Sequence, residues 1–127
     1  AAVAAPDKKV LMVNGDGAFG LNGFDFDTFV RFDMPIVAVI GNDRTWHQIW
    51  VGQKAQYGED KTPATLLGDN ARYDKVVEGL GGHGEFVEHP EQIRGAIERA
   101  FASGKPAVVN VLTDRDPAGV KGGYEFK

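Results

Sequence analysis

Two aspartates are the residues on which chemistry is most readily built. Asp16 lies between Gly15 and Gly17, and Asp43 lies between Asn42 and the run Arg44-Thr45-Trp46-His47. Each follows directly on an apolar run, so each stands where a buried strand would end. Carboxylates brought together at neighbouring strand ends form a hard oxygen site suited to Mg²⁺ or Ca²⁺. The flanking glycines let the backbone approach a ligand closely. Backbone N–H groups of Gly17 and Ala18, and those of the turn entered at Trp46 and His47, can face an anionic phosphate. The same residues admit a plainer role, with Asp16 as a turn residue and Asp43 as the N-cap of the turn after it. His47, His83 and His89 are the three histidines, and none pairs with another at i, i+4 or HxH spacing, which argues against zinc. His83, set between glycines, reads as a cap or surface residue, whereas His47 adjoins the aspartates.

The elements that must position these residues follow from hydrophobic pattern. Lys9 to Asn14 is a short, nearly continuous apolar run that reads as a central parallel strand buried on both faces. After a Gly15-Asp16-Gly17 turn, a helix is expected from Asn22 to Phe32, with Phe24, Phe26, Phe29 and Phe32 assigned to the core. Pro35 to Ile40 is a second buried strand, β-branched and started by a proline that stops the helix before it. A helical turn or short helix from Trp46 to Val51 follows, where Trp46 and Trp50 can share one face, and then a long loop from Gly52 to Gly68, a candidate lid or a plain connection. Asp69 or Asn70 can cap a helix carrying Tyr73, Val76, Val77 and Leu80. Glu85 to Glu88 reads as a short strand. Pro90 opens a helix with Ile93, Ala96, Ile97, Ala100 and Phe101 on one face, and Pro106 to Leu112 is the last strand. Strands alternating with helices call for right-handed crossovers and an α/β fold, a doubly wound parallel sheet with helices on both faces. In such sheets ligands bind beyond the carboxyl ends of the strands, where both aspartates fall.

Composition narrows the field further. The chain has 127 residues, 43% hydrophobic and 25% charged, enough for one core. Fourteen Lys and Arg against 18 Asp and Glu give a net charge of −4, without a run of like charge, so neither a nucleic-acid nor an anionic-membrane surface is indicated. The absence of cysteine excludes thiolate metal sites and cysteine nucleophiles within these residues, and leaves the cytoplasm as the default compartment. No apolar run approaches a membrane span.

Gly15-Asp16-Gly17, the aromatic-rich stretch Phe24-Asp25-Phe26-Asp27-Thr28-Phe29-Val30-Arg31, the strand led by Pro35 and Asn42-Asp43 together resemble the thiamine diphosphate motif, which runs GDG, then under thirty residues, then NN. Ala71-Arg72-Tyr73-Asp74-Lys75, Gly81-Gly82-His83-Gly84 and Lys105-Pro106-Ala107-Val108-Val109-Asn110-Val111 resemble the later part of the same diphosphate-binding domain. The similarity is to the acetolactate synthase, benzaldehyde lyase, 2-hydroxyacyl-CoA lyase and oxalyl-CoA decarboxylase group, and spans about Lys9 to Asp116.

By that resemblance, Asp16 and Asp43 coordinate Mg²⁺ through their side chains and Thr45 through its carbonyl, with the cofactor diphosphate on the metal. Gly17, Ala18 and His47 give backbone contacts to phosphate, Trp46 and Gln48 line the cofactor or substrate channel, and Gly15 and Phe19 complete the cofactor-binding set. The pattern departs at two positions, where the second Asn of NN is Asp43 and the usual glycine is His47. The extra carboxylate leaves Asn42 as the alternative ligand. The resemblance implies a lyase or carboligase working on C–C bonds next to a carbonyl, with a small carbonyl or acyl-CoA substrate and a homodimeric or homotetrameric assembly. It also implies an activating glutamate on a pyrimidine-binding domain that these residues do not contain. Residues 1–127 are then expected to be a single diphosphate-binding domain fragment, incomplete at its N-terminus, whether as a clipped product or as one subunit of a split enzyme.

Two other readings compete. A receiver-type, Mg²⁺-binding signalling domain has similar length and acidic strand ends, but Lys105-Pro106 precedes its strand where that role needs the lysine beyond it. A Rossmann-type dinucleotide-binding domain is suggested by Gly15-Asp16-Gly17-Ala18-Phe19-Gly20, which fits GxGxxG but carries Asp inside it. Asp43 at the end of strand two could imitate its ribose ligand.

Overall fold

The structure, a computed structural model, describes residues 1–115. Among these residues four parallel strands, β1 (Val10–Gly15), β2 (Ile36–Asn42), β3 (His83–Val87) and β4 (Ala107–Leu112), form one sheet in the order β1-β2-β4-β3. The helices are α1 (Asp16–Asn22), α2 (Phe26–Arg31), α3 (His47–Tyr57), α4 (Tyr73–Gly79) and α5 (Ile93–Ala102). Alternate residues of each strand project to opposite faces, so the sheet has two cores. On one side α5 packs Ala96 and Ala100 against Val37, Val87, Ala107, Val109 and Val111. On the other, Phe19, Phe26 and Val77 from α1, α2 and α4 cover Ala38, Ile40 and Val108. The expected α/β architecture, a parallel sheet with helices on both faces, is present.

The Lys9–Asn14 run, expected at the centre of the sheet, forms an edge strand among the described residues. Its burial alternates, with Leu11 and Val13 49% and 76% exposed on the α5 side and Met12 packed on the other. An apolar run shows that a segment can be buried on both faces, but neighbours decide whether it is. The expected glycine turn is also absent, because β1 passes directly into α1 with Gly15 extended as its N-cap. Glycine-rich Asp16-Gly17-Ala18-Phe19-Gly20 has poor helix propensity, which the packing of Phe19 between Phe26 and Tyr73 overrides. The single helix expected over Asn22–Phe32 is broken by a 3₁₀ turn at Gly23–Asp25. That break sends Phe26 inward and leaves Phe24 and Phe32 exposed rather than in the core.

Three further boundaries move. The helical turn or short helix expected at Trp46–Val51 is an eleven-residue helix reaching Tyr57, so the first part of the expected loop is helical. None of its residues is fully buried, and so no apolar stripe marked it in the sequence. Neither Asp69 nor Asn70 caps α4, whose N-cap position is Arg72, with no side-chain cap. The strand expected over Glu85–Glu88 starts earlier, at His83. There Gly84 allows α4 to lie against β3, since a Cβ at that position would fall 2.5 Å from the Asp74 carbonyl oxygen. The polar tail beyond Arg115 lies outside the described residues.

Candidate functional site

β1 and β2 run parallel in register, with Gly15 opposite Gly41, so the chain segments that follow them emerge side by side at one end of the sheet. Asp16 opens α1, and Asp43-Arg44-Thr45 links β2 to α3. Between them lies a cleft of about 410 Å³ lined by Gly15, Asp16, Gly17, Ala18, Leu21, Gly41, Asp43, Thr45, Trp46, His47, Gln48, Ile49 and Thr113. Two residues far apart in sequence are thus brought to one cavity by strand pairing alone.

Asp16 is 2% exposed. Its Oδ1 accepts the Gly17 N–H at 2.8 Å and its Oδ2 accepts the Arg44 N–H at 2.7 Å. Burial pushes its carboxyl above the ordinary value and the charge of Asp43 acts in the same direction, against the N–H groups of Gly17, Arg44 and Thr45. Two carboxylates held near each other in a partly dry cleft repel, and a divalent cation between them would relieve both the repulsion and the desolvation. Asp43 Oδ2 lies 2.9 Å from His47 Nδ1, one helical turn on. The two positions that depart from the motif therefore touch, and the extra carboxylate is met by an imidazole.

The linker is held firmly. Thr45 and Leu66 form an isolated antiparallel bridge, in which the Trp46 N–H donates to Thr65 O at 2.8 Å and the Leu67 N–H to Arg44 O at 2.8 Å. Those bonds flank a non-hydrogen-bonded pair, so the N–H and C=O of Thr45 itself turn away from Leu66, to the side on which its N–H reaches Asp16. Arg115 adds bonds from its guanidinium to the carbonyls of Asp43 and Arg44, each at 3.4 Å. Arg44 is left-handed at φ 61°, a conformation that costs a non-glycine residue about 1–3 kcal/mol and is held by this surrounding structure. The available donors, two carboxylates and a backbone carbonyl, are all hard oxygens. They fit Mg²⁺ completed by phosphate oxygens or water.

Nine of the ten residues expected in the cofactor set line the cleft, and Phe19 does not: its ring is 5% exposed and belongs to the core. Asn42, the alternative metal ligand, is 1% exposed, and its side chain is bonded inside the fold rather than lining the cleft. The Gly17 and Trp46 N–H groups, expected to face phosphate, instead donate to Asp16 Oδ1 and to Thr65 O. Gly17 also brings the Trp46 indole close, since a Cβ there would sit 3.4 Å from the ring. Trp46 flanks the cleft, while Trp50 lies over the Lys54 ammonium at 4.2 Å. The Thr65–Leu67 strap and Arg115 leave no mark in the sequence, because both bond to the backbone of residues 43–46, which no side-chain type reveals. Asn110 carried a signal that could have been used: an amide in the middle of a fully apolar strand needs a buried partner.

These features coincide with a known family of domains. A family model described as "Thiamine pyrophosphate enzyme, C-terminal TPP binding domain" matches residues 1–111, and the chain belongs to this family. It is 49% identical over 114 residues to the acetolactate synthase large subunit IlvG of Mycobacterium tuberculosis, covering 90% of this chain and 20% of that protein. It is 37% identical over 121 residues to a 2-hydroxyacyl-CoA lyase of Arabidopsis thaliana, again covering 90% of this chain and 20% of the relative. The chain thus spans about a fifth of the length of these relatives. A solved structure of the thiamine diphosphate-dependent 4-hydroxybenzoylformate decarboxylase from Rhodococcus jostii RHA1 superposes with a TM-score of 0.80 over 90% of this chain and 21% of that one, at 24% identity. That superposition establishes the fold.

Proposed function

We propose that this chain is the metal- and diphosphate-holding part of a thiamine diphosphate-dependent enzyme that makes or breaks C–C bonds next to a carbonyl, on 2-hydroxyacyl-CoA, 2-hydroxyketone or 2-oxo acid substrates. The observation that carries the reading is the juxtaposition of Asp16 and Asp43 in one cleft, each at the carboxyl end of a paired strand. In this reading the two carboxylates and the Thr45 carbonyl bind Mg²⁺, and the metal and the α3 N-terminus hold the diphosphate. Ala18, Trp46, His47 and Gln48 border the bound cofactor. Asp43 rather than Asn42 is the second ligand, because the Asn42 amide is already bonded within the fold. His47 Nδ1, 2.9 Å from Asp43 Oδ2, gives the extra carboxylate a hydrogen-bond partner. When bound, thiamine diphosphate supplies a nucleophilic carbon and an electron sink for the carbanion that C–C cleavage leaves.

The group that activates the thiamine ring comes, in this reading, from a pyrimidine-binding domain on the same or a second polypeptide. The assembly is a homodimer or homotetramer in the cytoplasm. No helix among the described residues is long and apolar enough to cross a membrane. The test is calorimetric titration of the full-length enzyme with thiamine diphosphate, with and without Mg²⁺, and with NADH as the control. Binding that needs Mg²⁺, with no heat from NADH, is expected. Metal-independent binding, or an NADH isotherm, would overturn the assignment.

A further inference from the structure

Asn110 is fully buried in the middle of β4, and its side chain belongs to a chain of hydrogen bonds that starts at the surface and ends at the candidate site. Arg72 makes a two-pronged ion pair with Asp74, which is 1% exposed, with bonds of 2.9 Å to Oδ1 and 2.6 Å to Oδ2. The Arg72 guanidinium is itself stacked 4.0 Å from the Phe86 ring centre. Asn110 Nδ2 donates to Asp74 Oδ1 at 3.3 Å and to Ala71 O at 3.3 Å. Asn42 Nδ2 donates to Asn110 Oδ1 at 3.1 Å, and Asn42 Oδ1 accepts the Arg44 N–H at 3.2 Å. That N–H is the one shared with Asp16 Oδ2.

The chain has a direction. An ionised aspartate only accepts, so Asp74 forces Asn110 to present its NH₂ and therefore to turn its carbonyl toward Asn42. Asn42 must then present its own NH₂ to Asn110, which leaves its carbonyl facing Arg44. Flipping either amide would set donor against donor in a buried place, where unsatisfied groups are heavily penalised. The ion pair at Arg72 and Asp74 thereby fixes which group Arg44 meets. Arg44 is the left-handed link between Asp43 and Thr45, so its backbone angles decide where both of those residues point.

We propose that Asp74, Asn110 and Asn42 are positioning residues for the metal loop, transmitting a fixed orientation from the Arg72 ion pair to the Arg44 N–H and so setting the Asp16–Asp43 geometry. This rests on the reading of that pair as the Mg²⁺ site. The test uses the full-length enzyme, titrated with Mg²⁺ in the presence of thiamine diphosphate and followed by calorimetry. Asn110→Leu removes all three amide hydrogen bonds while keeping the branched shape of the side chain, and is expected to weaken Mg²⁺ affinity about 10–100-fold, the usual effect of removing support behind a metal ligand. It should also speed amide hydrogen exchange over residues 42–46 in the metal-free enzyme. Val109→Ala, the neighbouring residue on the α5 side, serves as the structural control: it should lower the melting temperature while leaving Mg²⁺ affinity within about twofold.

Wild-type affinity in Asn110→Leu, or an equal loss in Val109→Ala, would overturn the proposal. Should Asn110→Leu fail to fold, Asp74→Asn decides, because it keeps the volume and releases the orientation; an unchanged affinity there overturns the proposal equally. A wild-type enzyme that binds no Mg²⁺ with thiamine diphosphate would remove the metal-site reading and this one with it. Mg²⁺ binding that depends on Asp16 but not on Asn110 would remove only the positioning role.

Discussion

The two faces of the sheet are made by the same strands and are built differently. Toward α5, the buried contacts are Val37, Val87, Ala96, Ala100, Ala107, Val109 and Val111, small apolar side chains closely packed. Toward α4, the same strands present Ile40 and Val108 and then, nearer their carboxyl ends, Asn42 and Asn110, facing Asp74. Asp16 and Thr45 are buried beyond those ends. The α5 side gains from burial without directional constraint, at about 25 cal/mol per Å² of apolar surface. The α4 side gives up part of that gain for polar groups whose hydrogen bonds fix direction. Both faces carry an apolar core, and only the α4 face adds the directional hydrogen bonds that set the site geometry.

The sharpest way to break that division is Asp16→Ala. In the full-length enzyme it is expected to weaken Mg²⁺-dependent thiamine diphosphate binding by about 100-fold or more, roughly 2.7 kcal/mol by titration calorimetry. Burial and Asp43 disfavour the Asp16 charge while the Gly17 and Arg44 N–H groups bonded to it favour it, so the melting temperature of the metal-free enzyme should change little. A large drop would show that the site also carries the fold. Val109→Ala is the opposite case, expected to cost about 2 kcal/mol in urea unfolding while leaving the binding heat intact.

Gly84→Ala tests the one place where the two properties should not separate. The added Cβ would meet the Asp74 carbonyl at 2.5 Å, pushing α4 from β3. A loss of about 1–2 kcal/mol in stability is expected together with weaker Mg²⁺ binding, and a change in stability alone would mean that α4 does not carry information to the site.

The smallest effect belongs to the α5 side. Arg99, with His83, holds the Glu85 carboxyl below its ordinary value of 4.5 in spite of partial burial. A lowered folded value means that Glu85 stabilises the fold fully above about pH 4.5, and that this contribution is lost as pH falls through the depressed folded value. Arg99→Gln should flatten the acid limb of the melting temperature against pH and leave the neutral value nearly unchanged. An unaltered acid limb would show that the pair contributes nothing.

Much of this molecule was legible in its residues. The apolar runs mark β1, β2 and β4, and the periodic Ile93, Ala96, Ile97, Ala100 and Phe101 mark α5. Asp16 and Asp43 stand out because carboxylates gathered at neighbouring strand ends can hold a hard cation, although a turn or cap role fits them as well. Less was legible where a segment lacks an apolar face. Helix α3 was cut short for that reason, and the start of α1 was masked by its glycines. Phe24 and Phe32 were placed in the core because aromatic residues favour burial on average, although the break at Gly23–Asp25 turns them out.

Sequence alone determined the α/β class, the strands and the chemical identity of the oxygen donors, since these follow from residue type and spacing along one dimension. Only the tertiary structure decided that β1 is an edge strand among the described residues, that Asn42 faces inward while Asp43 faces the cleft, and that Asn110 and Asp74 stand behind the site. Those facts depend on which segments become neighbours. Strand order, amide orientation and the left-handed angle of Arg44 are set by contacts between residues far apart in the sequence, and no local pattern can encode them.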